Sequence, residues 1–227
     1  VHPWLQLADE IVVPSDYLKE EFARHHYHAS RVRNVVDTSR FRLKERPRIR
    51  PRLLSIRNLE PHYRVGVTIE AFALLKARYP DAELVVAGYG SEEQKLRSLV
   101  EALGVKGVRF AGRVEGPDVP ALFDEADIFV NSSIVDNQPI SVLEAFAAGL
   151  PVVSTGTGDI KTMVRQGETG CLVPPERPDL MAEALVTLLE NPRRAAGMAR
   201  RARDELDQYT WDAVRRDWAT IYTGAFN

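Results

Sequence analysis

Residues 131–155 read NSSIVDNQPISVLEAFAAGLPVVST, and the order of residue types in this stretch decides the fold. An apolar strand ends at Asn131, a polar loop follows, and Pro139 opens a helix rich in Ala, Leu, Val and Phe. Gly149-Leu150-Pro151 then turns the chain into a second β-branched run at Val152 and Val153. Proline fits the first helical turn, where its missing N–H has no intrahelical partner to lose. A strand, a helix and a second strand in so short a span form the unit that joins parallel neighbours.

Outward from this segment the same alternation repeats. Strands are expected at 10–13, 32–35, 52–56, 83–87, 108–111, 127–131, 151–154 and 171–173. Helix-period stretches such as TIEAFALLKARY (68–79) and EEQKLRSLVEALG (92–104) lie between them. Runs such as ELVVAG are apolar throughout, as strands are when helices cover both faces of the sheet. The expectation is an α/β protein: a doubly wound, Rossmann-like parallel sheet with its ligand crevice at the carboxyl ends of the strands, closed by C-terminal helices. Residues 1–37, with Ser15 as a helix N-cap, are expected to be the tail of a preceding domain. Residues 38–52 form a basic linker, 53–208 the main Rossmann-like domain, and 209–227 a closing helix that packs back on the N-terminal part. The apolar face of that helix carries Trp211, Val214, Trp218, Ile221 and Tyr222.

The chain has 227 residues, enough to bury a core without staples. With 44% hydrophobic and 27% charged residues it has the composition of a globular protein. Thirty Lys and Arg against 32 Asp and Glu leave a net charge of -2, so no overall field points to nucleic acid or to a membrane. The single cysteine, Cys171, cannot form an internal disulfide and suggests a reducing, cytoplasmic setting, where it reads as a small core residue. The longest uncharged stretch, 145–158, is 14 residues broken by Gly149 and Pro151, too short to cross a bilayer. No basic-plus-apolar leader opens the chain.

Within the linker, Arg40, Arg42, Lys44, Arg46, Arg48, Arg50 and Arg52 are basic at every second position, with Glu45 the one acid among them. An extended chain would set all seven on one side. Such a stripe is either a solvated hinge or a peripheral contact with anionic headgroups at the inner face of a membrane.

The chemistry concentrates around the segment quoted first. Free N–H groups and the positive dipole end at Pro139 make an anion site suited to a diphosphate. Asp136 precedes the helix and Glu144 lies about five residues into it, roughly 7.5 Å along the axis. Two carboxylates that straddle a diphosphate could hold hydroxyls on either side of it, the layout of a sugar nucleotide. Each has a plainer reading, Asp136 as a helix cap and Glu144 as a structural hydrogen-bonding carboxylate; Arg57, at the end of the strand expected at 52–56, could likewise be an ordinary salt-bridge residue. Gly88-Tyr89-Gly90 invites a dinucleotide reading, but the third glycine is replaced by Glu93, and a strand-end turn is the simpler role. Asn131-Ser132-Ser133 matches a glycosylation acceptor only by accident, since it ends a core strand.

These residues resemble the motif of retaining glycosyltransferase family 4, of GT-B fold, in which two Glu are separated by seven residues. The resemblance runs through RNLEP (57–61), VAGYGSEEQKL (86–96), VRFAGRV (108–114), ADIFVNSS (126–133), DNQPISVLEAFAAGLPVV (136–153) and GETGCLVPP (167–175). It implies one half of a GT-B fold, the donor-binding half, in an enzyme that moves a sugar from a nucleotide-diphosphate donor to a glycan or lipid-linked acceptor with retention of configuration. It implies Glu144 on the ribose hydroxyls, Asp136 on the sugar, and the backbone N–H groups of 137–140 (Asn137, Gln138, Pro139 and Ile140 in sequence, proline without an N–H) around sugar and diphosphate. Arg57 would grip the diphosphate, and Arg113 and Val114 would meet the base. No cofactor and no metal are expected, and the chain contains no Asp-x-Asp triplet.

The sequence departs from the family pattern in three places. Asp136 replaces a Glu, Asn137 stands where a Gly is usual, and Tyr63 occupies the place of a phosphate-binding lysine, with Arg64 a candidate substitute. The resemblance places acceptor recognition and a catalytic histidine in an N-terminal domain outside this chain; His25, His26 and His28 do not align with that histidine. The expectation is therefore a donor half inactive in transfer on its own, with a non-catalytic nucleotide-sugar-binding or interaction domain as the alternative. An NAD-dependent enzyme is the third reading, opposed by the broken glycine pattern.

Overall fold

The computed structural model describes residues 3–44, 46 and 48–224. A 3-10 turn (Pro3–Leu7) leads into β1 (Val12–Val13), α1 (Asp16–Arg24) and β2 (Ser30–Arg31). The main body then runs β3 (Arg52–Ile56), α2 (Val65–Arg78), β4 (Glu83–Ala87), α3 (Glu93–Ala102), β5 (Val108–Gly112) and α4 (Val119–Glu125). It continues with β6 (Ile128–Asn131), α5 (Ile140–Ala147), β7 (Val152–Thr155), α6 (Ile160–Met163) and β8 (Cys171–Val173). The last helices are α7 (Pro178–Glu190), α8 (Pro192–Asp204) and α9 (Trp211–Tyr222), with a 3-10 turn at Glu205–Tyr209 between the last two.

Six parallel strands pair in the order β5-β4-β3-β6-β7-β8. Leu53 lies opposite Leu84 on one side and Ile128 on the other, which sets the register of the centre. Successive side chains point to opposite faces, and both faces are apolar. Leu54, Phe129 and Val152 enter one core with α4, α5 and the turn before α9. Leu53, Ile128, Val130 and Val153 enter the other with α2 and α7. This is the doubly wound sheet the alternation of strands and helices predicts. No helix among the described residues is long and apolar enough to cross a membrane.

The N-terminal residues form a separate pair, with Val12 opposite Ser30 and Val13 opposite Arg31. Ser15 caps α1 as expected, its Oγ accepting from the Leu18 N–H at 3.2 Å. The strand expected at 32–35 does not form: Val32 N–H still donates to the Val13 carbonyl at 2.9 Å, but beyond it the backbone leaves the pair. Asn34 N–H donates to the Gln138 side chain at 2.6 Å, and Val36 N–H to the Tyr209 carbonyl at 2.9 Å.

The linker corrects the sequence reading. A 3-10 turn at Thr38–Arg40 breaks the alternation, and Phe41 is buried edge-on against Phe123 with ring centres 5.4 Å apart. Arg46 is 6% exposed. Its guanidinium donates to the carbonyls of Lys44, Phe123, Ala126, Ala148 and Gly149 at 3.0–3.2 Å and lies 3.3 Å from Asp127 Oδ1. Arg52 holds the other oxygen of Asp127 at 2.8 Å. The linker is thus laced into the core and is no solvated hinge; Arg42, Arg48 and Arg50 stay exposed. Glu45, the acid of the stripe, lies outside the described residues, as does 225–227 at the end of the closing segment. Of the apolar face of α9, Val214 is buried while Trp211 and Tyr222 are exposed.

Candidate functional site

The strand order makes β3 the turning point: β4 and β5 lie to one side of it, β6 to β8 to the other. In such sheets the crevice outside the carboxyl ends of the strands at the turning point is where ligands bind. Arg57 leaves β3 there and residues 132–139 leave β6. A cavity of about 490 Å³ opens between them, the size of a small-molecule site. Of the residues singled out in sequence, Arg57, Asp136, Gln138, Pro139, Ile140, Arg113 and Val114 all line it. Asn34, Tyr63, Tyr89 and Ser141 complete the wall used below.

Arg57 is the centre of the site. Its side chain is 10% exposed and pairs with Asp136, itself 9% exposed. Nη1 donates to Ser141 Oγ and Nη2 to Ser133 Oγ, both at 3.3 Å, and the guanidinium stands 4.3 Å from the centre of the Tyr63 ring. Burial pulls its pKa below the ordinary arginine value, with Tyr63 opposing. Among the described residues Nε has no hydrogen-bond partner. A buried donor left unpaired is costly, so an ordinary salt bridge does not account for this placement.

The helix start is equally open. Pro139 is the N-cap of α5 in extended backbone, so the helix begins one residue later than expected, and no side chain caps it, so Asp136 is not a cap. Among the described residues nothing accepts from the N–H groups of Ile140 and Ser141. Tyr63 stands in the wall where the family pattern has lysine, whereas Arg64 pairs with Glu176 at 3.1 Å and lies outside the lining. The substitute role suggested for Arg64 is corrected accordingly.

Gly88 explains the glycine pair after β4. Its φ is +136°, and a Cβ there would stand 1.8 Å from the Arg57 carbonyl oxygen. The close approach lets Arg57 N–H donate to the Ala87 carbonyl at 3.0 Å, so this turn fixes the arginine and is no dinucleotide fingerprint. At the rim, the Arg113 guanidinium lies 5.3 Å from the Tyr89 ring centre and 3.1 Å from Glu115. Asn131 is fully buried with its amide on Ser154 Oγ at 2.9 Å, which removes it as a glycosylation acceptor. Cys171 is half-buried in β8, and burial pushes its thiol up.

A family model described as Glycosyl transferases group 1 matches residues 37–205. The chain belongs to this family. It is 29% identical over 164 residues to a phosphatidyl-myo-inositol mannosyltransferase of Mycolicibacterium smegmatis, covering 72% of this chain and 42% of that protein. It is 31% identical over 198 residues to a glycogen synthase of Mycobacterium tuberculosis, covering 86% of this chain and 48% of that protein. HepE of Anabaena, solved in complex with UDP and glucose, superposes with a TM-score of 0.87 at 19% identity, over 97% of this chain and 65% of that one. The shared fold is the Rossmann-like half of GT-B. The chain spans about half the length of the curated relatives it matches.

In this group 1 glycosyltransferase chain, two of the residues singled out lie outside the lining. Asn137 is half-buried and does not line the cavity. Glu144 also falls outside it, because it sits four residues beyond Ile140, one helical turn or about 6 Å farther along the same face of α5. The carboxyl is half-buried, and burial pushes it up to about 7 against the pull of Arg40. Arg40 in turn donates to the carbonyl of Gly116, beyond β5. Among the described residues no hydrogen bond holds the carboxyl of Glu144, so it is not the structural hydrogen-bonding carboxylate of the plainer reading. Sequence reasoning missed Asn34, Ser133 and Ser141.

Proposed function

We propose that this chain is the donor half of a retaining glycosyltransferase, which binds a nucleotide-diphosphate sugar in the β3/β6 crevice and delivers the sugar to a glycan or lipid-linked acceptor held by a further domain. The observation that carries the reading is the buried Arg57 with its unpartnered Nε beside the open start of α5. A diphosphate supplies what both lack, acceptor oxygens and negative charge. In the reaction the bond from the anomeric carbon to the diphosphate breaks and a bond to the acceptor oxygen forms on the same face. The acceptor proton leaves with the products. Arg57 and the N–H groups of α5 stabilise the charge that develops on the departing diphosphate. Asp136, released from Arg57 by the phosphate, takes the sugar hydroxyls. Glu144 receives the ribose deeper along α5, and Arg113 and Val114 border the base.

The relatives support the class of donor and acceptor: one is named for a phosphatidyl-inositol acceptor, and the Anabaena structure holds UDP and glucose. The free thiol of Cys171 suits a reducing compartment.

The test is thermal unfolding with UDP, GDP, ADP and their sugars. A ligand at about 100 times its Kd adds about 2.7 kcal/mol, or roughly 5–10 °C for a chain of this size. One base should give that shift, and Arg57→Ala should abolish it. A folded wild-type chain that shifts with none of them overturns the reading.

A further inference from the structure

The cavity wall at 136–138 is gripped from two sides by residues that the donor reading does not use. From the N-terminal segment, Asn34 N–H donates to Gln138 Oε1 at 2.6 Å and Asn34 Nδ2 to the Gln138 carbonyl at 2.8 Å. The segment is itself anchored by the bond from Val36 N–H to Tyr209. From the opposite flank, Asp159 Oδ2 accepts from Gln138 Nε2 at 3.3 Å, and Asp159 N–H donates to the Asp136 carbonyl at 3.3 Å. Thr162 Oγ1 holds the other oxygen of Asp159 at 2.8 Å. Gly158 lets the two loops touch: its φ is +53°, and a Cβ there would stand 1.7 Å from the Asp136 carbonyl oxygen. Gln138 and Asp159 are each 5% exposed. Buried polar groups this fully engaged hold one geometry, because any other leaves them unpaired.

We infer that Asn34, Gln138 and Asp159 form a clasp that sets the loop before α5 at the distance from Arg57 that a diphosphate requires. They are positioning residues: they act through the loop backbone and need not touch the donor. The inference rests on the donor reading for its ligand, but the clasp can be tested without it. Because Asn34 lies on the segment that leads into the linker, the N-terminal part of the chain is mechanically joined to the donor loop.

The experiment reverses the polarity of one contact. Gln138→Glu keeps an acceptor for Asn34 N–H but sets a carboxylate against Asp159. Asp159→Asn alone can turn its carbonyl oxygen toward Gln138. The double variant restores a donor–acceptor pair at unchanged net charge, since the new amide at position 159 donates to the new carboxylate at position 138. Titration calorimetry with UDP, GDP and ADP should show affinity lower by about tenfold in Gln138→Glu, near wild type in Asp159→Asn, and regained in the double variant. Amide exchange at 136–138 and 140, measured without ligand, should quicken by about tenfold in Gln138→Glu and recover in the double variant. Wild-type affinity in Gln138→Glu, a double variant no better than the single, or unchanged exchange overturns the clasp. If the wild-type chain binds none of the three nucleotides, the donor reading fails, and the exchange result alone decides the clasp.

Discussion

A carboxyl that titrates near neutrality inside a half-buried helix face makes Glu144 a reporter at the scale of one residue. Burial raises its pKa to about 7, above the unfolded value near 4.3, so the folded state holds the proton more tightly. Its contribution to stability is therefore complete below about pH 4 and is lost as pH climbs through about 7. Glu144→Gln should flatten this part of the stability profile and stabilise the chain at pH 8, by about 4 kcal/mol at most. Urea unfolding at pH 4.5 and pH 8 measures it. Under the donor reading the same group acts in the opposite sense on binding. Hydroxyls prefer the ionised acceptor, so donor affinity should rise between pH 6 and 8 in wild type and lose that slope in Glu144→Gln.

At the scale of the element, the linker carries more than its sequence suggests. Removing the guanidinium by Arg46→Ala strands five carbonyls and half of Asp127, and should cost about 3–5 kcal/mol in denaturant unfolding. Arg46→Lys should recover little, because one ammonium cannot serve that many acceptors. Gly88→Ala should cost about 2 kcal/mol or more and weaken donor binding, since the new Cβ collides with the Arg57 backbone. The contrast between linker and sheet shows what was legible. β3, β4 and β8 fall where the apolar runs predict, because strands buried on both faces carry their environment in their own composition. The run at 32–35, Val-Arg-Asn-Val, is only half apolar, and a remote partner, Gln138, claims the Asn34 backbone, which no local pattern shows. Arg46 was hidden by its basic neighbours. The available signal was Asp127, a lone acid at the head of the core strand ADIFVNSS, which demands a buried cation. In the site, the charged and motif-bearing residues were readable, whereas Asn34, Ser133 and Ser141 are ordinary polar residues made special by the turning point of the sheet.

At the scale of the whole molecule, the crevice is, under the donor reading, one wall of a site whose acceptor side is supplied by a further domain. Purified alone, the 227-residue chain should bind its nucleotide yet transfer no sugar to an added acceptor, a result checked by radiolabelled donor with binding measured in parallel. Among the described residues no group of three or more His, Cys, Asp and Glu is placed to hold a metal. Charge stabilisation by Arg57 and α5 leads to the expectation that chelator leaves the nucleotide-induced thermal shift unchanged. The strand order has a further outcome, in time rather than in space. On the ribosome β3 and β4 can pair early, but the other neighbour of β3 arrives only with Ile128. At ordinary rates of synthesis one edge of β3, carrying Leu53 and Leu54, stands bare for roughly 4–15 seconds. An open apolar edge is a template for stray pairing, so the topology that later makes room for a ligand first exposes the nascent chain to aggregation, until β6 emerges to cover it.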